Sequence, residues 1–128
     1  MNAKRLTYTA PTKAIIEDCV LGEPNKDEVM VRSHFSAISR GTERLIYQGL
    51  VPQSEHETMR CPHQVGNFTF PISYGYSCVG QVMAKGQSVT KFDIGDHIFV
   101  LHPHQDMFLA KEAFCTRLPN NTPPNRSV

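Results

Sequence analysis

The amino-acid sequence predicts a mainly β fold, a distorted and mostly antiparallel β-barrel with one or two short helices. The strongest signal comes from residues Phe70–Val100, where apolar residues alternate in short runs. Glycines recur in this stretch at places where a strand must bend or the chain must turn, namely Gly75, Gly80, Gly86 and Gly95. Helical periodicity nowhere exceeds about two turns, so strands and glycine turns dominate the pattern.

The first part of the chain is interpreted as three strands. Lys4–Tyr8 and Ala14–Cys19 form an opening pair, and an acidic turn around Glu23–Asp27 leads into a third strand, Glu28–Ser36. The apolar residues at the odd positions of this third strand are Val29, Val31 and Phe35. This β-rich start is what a barrel of this kind requires.

Two short helices are predicted next. Thr42–Tyr47 has a helical pattern that Gly49 closes. A second helix is expected to begin at Ser54, because Ser54 and Glu57 are spaced as a capping box, and to end before Pro62. The alternative for this second segment is a polar loop in which the spacing arises by chance.

The rest of the chain returns to strands. Ile94–Asp96 is predicted to form a tight turn into His97–Leu101, with glycine at a positive φ and aspartate bonding backbone amides. Met107–Leu118 is predicted to contain two further short strands. We therefore expect one domain over residues 1–118, followed by a proline- and asparagine-rich linker over residues 119–128.

Composition restricts the classes of function. The chain has 128 residues, 40% of them apolar, and a formal net charge of +1, which favours one globular domain and argues against nucleic acid or an anionic membrane as partner. It contains neither a signal-peptide core nor a run of about 20 apolar residues. The four cysteines are widely spaced, as is typical of reduced thiols. We therefore expect a cytoplasmic protein.

A set of fixed spacings points to a known family. The chain matches the pattern P-x-x-x-G-H-E-x-x-G-x-V, followed by G-x-x-V-x-x-F-x-x-G-D-x-V, at Pro71, Gly75, Gly80, Val82, Gly86, Val89, Phe92, Gly95, Asp96 and Ile98. It resembles the N-terminal, GroES-like half of the medium-chain dehydrogenase/reductase family. The resemblance implies a substrate-side domain that works with a Rossmann nucleotide-binding domain of the same full-length chain. Because no G-x-G-x-x-G fingerprint is present, we expect a fragment that is inactive alone, with NAD or NADP bound mainly by the missing domain.

The family's zinc ligands are replaced here. Zinc-dependent relatives use a cysteine where this chain has Ser39 and a histidine where it has Tyr76, and Ser77 stands where they have glutamate. A hydroxyl and a phenol are poor zinc ligands. The resemblance therefore implies zinc-free chemistry, with no metal site, and Ser39 is retained as a candidate catalytic residue.

Other candidates come from the same alignment. By resemblance, Arg40 would contact the cofactor pyrophosphate, and Thr42 would relay a proton from the substrate oxygen. Tyr76 would donate a hydrogen bond or a proton to a carbonyl oxygen. The structural alternatives are a surface arginine, a helix N-cap and a core tyrosine, respectively. Glu43 would pair with Arg40 or Arg44, or lie on a solvated helix face.

Two histidines form a further candidate site. His102 and His104, with Pro103 between them, should lie on one face of an extended segment near the cleft, as metal ligands or proton carriers must. The alternative is an exposed loop pair without function. Cys61 and His63 have a similar spacing, but nothing nearby completes a four-ligand set.

Three hypotheses follow. The leading one is the substrate-side domain of a zinc-independent, NAD(P)-dependent oxidoreductase that transfers hydride to or from an alcohol, carbonyl, quinone or enone, with homo-oligomerisation left open. The alternative is a GroES-like protein-binding module without redox activity. The third is a metal-binding protein that uses His102, His104, Cys61 and His63.

Overall fold

A computed structural model describes residues 1–119, 123, 125 and 128. Over this part of the chain the strands form two antiparallel sheets, with orders β2-β1-β5-β4 and β8-β3-β6-β7-β9. The strands are β1 (Asn2–Ala10), β2 (Lys13–Val20), β3 (Glu28–Ser36), β4 (Val65–Gly66), β5 (Ile72–Ser73), β6 (Cys78–Lys85), β7 (His97–Val100), β8 (Met107–Lys111) and β9 (Cys115–Arg117). An isolated bridge pairs Arg5 of β1 with Gln105, which lies just before β8. The prediction of a mainly β, antiparallel fold is confirmed.

The main core lies on the five-stranded sheet. Val31 of β3 is fully buried and pairs with Val82 of β6 on one side and Phe108 of β8 on the other. Phe35, predicted to share this alternation with Val29 and Val31, is instead 46% exposed. The register of β3 against β6 shifts between Ser33 and Phe35, and such a bulge changes which face the next side chain occupies.

The predicted glycine-punctuated hairpin is confirmed as β6 and β7. Gly80 sits where a Cβ atom would lie 2.5 Å from the carbonyl oxygen of Arg32, so only glycine permits this approach of two strands. Gly95 has a φ of 100°, and Asp96 Oδ2 accepts a hydrogen bond of 2.8 Å from the Asp93 amide. Gly95 and Asp96 therefore act in the turn as predicted.

One of the two predicted helices is present. Helix α1 spans Thr42–Gln48 and ends at Gly49 in the left-handed conformation, as predicted. The predicted helix from Ser54 is wrong, because the chain forms only a 3₁₀ turn over Gln53–Glu55, with no side-chain cap. None of the residues of this turn is buried, so a longer helix here would gain little from packing.

The remaining predictions concern the cysteines, membrane-spanning segments and the linker. All four cysteines are free. No helix in the described part of the chain is long and apolar enough to cross a membrane. The linker predicted over residues 119–128 falls mostly outside the described residues, since 120–122, 124, 126 and 127 are not among them.

Candidate functional site

A cleft of about 540 Å³ opens between β1 and the start of α1, and we call it the first cleft. Its lining residues are Leu6, Tyr8, Ala14, Ile38, Ser39, Arg40, Glu43, Arg44 and Tyr47. The rings of Tyr8 and Tyr47 meet edge to face at 5.9 Å, and the Tyr47 hydroxyl donates to the Thr12 carbonyl at 2.8 Å. The first cleft therefore has aromatic and apolar walls, and its polar rim carries the Ser39 hydroxyl and the guanidinium groups of Arg40 and Arg44.

Ser39 holds the first turn of α1. Its hydroxyl oxygen accepts a hydrogen bond of 3.1 Å from the Thr42 amide, and its own amide donates to Glu43 Oε2 at 2.6 Å. Such bonds satisfy amides that a helix start leaves without partners. The N-cap alternative for Thr42 is wrong, because Gly41 holds the N-cap position and Ser39 supplies the hydroxyl.

Glu43 is buried, with only 1% of its surface exposed. The predicted pairing with Arg40 or Arg44, and the alternative of a solvated helix face, are both wrong. Glu43 shares the inward face of α1 with Ile46, three residues on, and Glu43 Oε1 lies 2.5 Å from His104 Nε2. A carboxyl group this deeply buried requires such partners, because an unpaired charge is costly to desolvate.

His104 connects Glu43 to a hydroxyl on the opposite side. Its Nδ1 lies 2.7 Å from Ser36 Oγ, so both ring nitrogens have a hydrogen-bond partner. His104 and Ser36 line a second cleft, of about 480 Å³, together with Lys4, Arg5, Leu6, Ile16, Ser33, His34, Phe35, Ile38, Gln105 and Asp106. The row Glu43–His104–Ser36 therefore runs from the first cleft to the second cleft.

His102 occupies a different environment from His104. Its ring stacks on Phe108 with centroids 3.8 Å apart and lies 4.9 Å from the ring of His63. Burial lowers the pKa of His102 to about 3, so the imidazole is neutral near pH 7. The alternative of an exposed histidine pair is wrong, since both imidazoles are buried, and the two rings have separate partners.

Arg40 and Tyr76, two further predicted site residues, occupy different surroundings. Arg40 is exposed on the first cleft and makes no ion pair within the described residues. Tyr76 is half-buried, packs on the core cluster that contains Tyr8 and Ile46, and meets Tyr74 edge to face at 6.1 Å. The structure thus brings Ser39 and Arg40 together at the cleft, with His104 behind Glu43, and keeps Tyr76 and His102 in packed surroundings.

The side chains proposed for metal binding do not form a cluster. Within the described ranges, no three histidine, cysteine or acidic residues lie close enough together to hold a metal ion. His63 Nδ1 instead lies 3.1 Å from the Leu101 carbonyl oxygen. The geometry gives no support to the set of His102, His104, Cys61 and His63 as ligands.

Sequence reasoning missed the role of Glu43. The available signal was its position three residues before Ile46 on a short helix, which places both side chains on one face. The partner, His104, is 61 residues away and carries no local signal.

Comparisons with known proteins agree with the fold. No family model matches the chain. A 2-desacetyl-2-hydroxyethyl bacteriochlorophyllide A dehydrogenase of Cereibacter sphaeroides is 26% identical over 113 residues, which cover 88% of this chain and 31% of that protein. A quinone oxidoreductase of Coxiella burnetii superimposes with a TM-score of 0.70 at 16% identity, over 97% of this chain and 39% of that one. A mitochondrial 2-enoyl thioester reductase heterodimer of Candida tropicalis gives 0.75 at 17% identity, over 99% and 39%. The chain thus spans between about a third and two fifths of the length of these proteins.

Proposed function

We propose that this chain, which has the fold of the N-terminal, GroES-like domain of the medium-chain dehydrogenase/reductases, is the substrate-side part of a zinc-independent, NAD(P)-dependent oxidoreductase. The observation that carries the proposal is the first cleft, in which Tyr8 and Tyr47 face the polar rim formed by Ser39 and Arg40. Aromatic and apolar walls with few polar groups are typical of sites for small organic ligands. A conjugated substrate such as a quinone or an enoyl thioester suits this lining.

Arg40 is the residue that would hold the cofactor. Its guanidinium group has no ion-pair partner in the described part of the chain, and a guanidinium binds phosphate oxygens in a bidentate manner. In its reduced form, NADH or NADPH, the cofactor would supply hydride at the cleft. The remaining cofactor contacts would come from a Rossmann domain, because this sequence lacks the glycine-rich turn that cradles a pyrophosphate.

We further propose that the protein acts in the cytoplasm and without zinc. The free cysteines suit a reducing compartment. Ser39 and Tyr76, the residues at the family's zinc-ligand positions, have other uses, since Ser39 supports α1 and Tyr76 packs in a core cluster.

The test is an NMR titration of the ¹⁵N-labelled chain with duroquinone, with a short enoyl thioester and with NADPH. We expect both substrates to shift the amide signals of Tyr8, Ser39 and Tyr47, and NADPH, which should bind this chain weakly, to shift that of Arg40. Arg40→Ala should remove the signal shifts caused by NADPH and keep those caused by the two substrates. The control is Arg60→Ala, which deletes the same charge at an exposed site outside the first cleft and should leave the NADPH shifts unchanged.

The opposite result would favour another function. If none of the three ligands shifts these signals at millimolar concentration, the oxidoreductase proposal is wrong. The protein-binding alternative would then gain support, for which Ile16 and Val20, exposed on the edge strand β2, offer an apolar surface.

A further inference from the structure

We infer that Glu43, His104 and Ser36 form a proton relay from the second cleft to the first, which supplies the proton that a substrate takes up during reduction. This inference rests on the proposed function, because only a reduction in the first cleft consumes such a proton. The three groups lie in one row, with Glu43 Oε1 2.5 Å from His104 Nε2 and Ser36 Oγ 2.7 Å from His104 Nδ1. An imidazole can accept a proton at one nitrogen and release one from the other.

The two ends of the row face different environments. Ser36 is exposed and lines the second cleft. Glu43 is 1% exposed and lies in the wall of the first cleft, and its second carboxyl oxygen is held by the Ser39 amide at 2.6 Å. A proton can therefore enter from solvent at Ser36 and arrive at a carboxyl group shielded from bulk water.

Packing preserves the geometry of the row. A Cβ atom added to Gly75 would lie 3.1 Å from His104 Nε2, so glycine at this position leaves the imidazole room to reach Glu43. No buried side-chain nitrogen or oxygen in the described residues lacks a hydrogen-bond partner, and the relay atoms are among those satisfied. A fully hydrogen-bonded network whose imidazole and carboxyl group are buried is rigid and specific in its arrangement.

The proton balance of one turnover is as follows. Reduction of a conjugated substrate adds a hydride at one carbon and a proton at the neighbouring carbon or at the oxygen. A solvent proton passes through the Ser36 hydroxyl to His104 Nδ1, the Nε2 proton passes to Glu43, and the carboxyl group gives it to the substrate. NADH or NADPH, when bound, would supply the hydride and thereby both electrons of the reduction. After the product leaves, Nε2 takes a proton from water in the first cleft through Glu43, and the Nδ1 proton returns to solvent through Ser36, which restores the first tautomer of the imidazole.

The relay is tested first without turnover, by measuring the exchange of the His104 imidazole protons with solvent in ¹⁵N-histidine-labelled protein. Ser36→Ala should slow this exchange by about tenfold or more, and Ser36→Thr, which restores a hydroxyl, should return it close to the wild-type rate. Ser33→Ala is the matched control, because Ser33 lines the same cleft but contacts the Cys78 thiol instead of His104. Exchange at the wild-type rate in Ser36→Ala would overturn the relay.

The second test uses turnover of the full-length oxidoreductase. Glu43→Gln keeps the shape of the side chain and should lower kcat by roughly a hundredfold or more with NADPH affinity unchanged, while Ser33→Ala keeps the wild-type kcat. A wild-type kcat in Glu43→Gln would refute the relay and leave the proposed function standing. If the wild-type protein turns over neither substrate, the proposed function is wrong, and the exchange rates in the first test still decide whether the proton path exists.

Discussion

His102 should make the stability of this fold depend on pH in a way that can be calculated. Its imidazole is buried and stacked on Phe108, and burial, with smaller contributions from the charges of His63 and His104, lowers its pKa from 6.5 to about 3. Below pH 6.5 the unfolded chain binds a proton at this side chain, and the folded chain does not until pH approaches 3. Protonation of His102 therefore costs no stability well above pH 6.5, and it lowers the free energy of unfolding progressively as the pH decreases from 6.5 toward 3.

The size of the effect follows from the two pKa values. At pH 5.0, about 1.5 pH units below the pKa of the unfolded state, protonation of His102 stabilises the unfolded chain by about 2 kcal/mol relative to pH 7.5. The free energy of unfolding falls by the same amount. We expect urea unfolding to show this loss. His102→Phe keeps a planar ring on Phe108 and removes the titration, so its stability should fall by about 2 kcal/mol less over the same pH interval.

Comparing the change with pH, and not the stability at one pH, separates the effect from any packing defect in the variant. A defect that does not depend on pH cancels in the comparison, as do titrating groups that do not interact with His102. Equal losses in the wild type and in His102→Phe would refute the assignment of a depressed pKa to this buried ring.

Three further predictions concern the fold and the site. Gly80→Ala should lower the free energy of unfolding by roughly 1–3 kcal/mol in thermal or urea melts, because the added Cβ meets the Arg32 carbonyl oxygen at 2.5 Å, and a loss below about 0.5 kcal/mol would contradict this close approach. Glu43→Ala should cost a similar amount, roughly 1–3 kcal/mol, since it leaves the buried His104 ring without one partner, and an unchanged urea midpoint would contradict the pairing. Purified protein should contain no stoichiometric zinc by elemental analysis, and about one tightly bound zinc per chain would contradict the ligand replacement at Ser39.

The sequence by itself determined most of the backbone. The strands β1, β2 and β3, the hairpin of β6 and β7, and helix α1 follow from patterns within about ten residues, such as alternation, glycine at a positive φ and a glycine at the helix end. These signals are local because they depend on allowed dihedral angles and on which face of one element is apolar.

Only the tertiary structure decided the environments of individual side chains. A bulge in β3 exposes Phe35, and the segment from Ser54 lacks the apolar face that would extend it into a helix. The pairing of Glu43 with His104 spans 61 residues and arises because the segment before β8 packs against α1. The burial, the hydrogen-bond partners and the pKa of a side chain depend on which elements pack against it, including elements distant in the sequence. Local sequence patterns do not determine that packing.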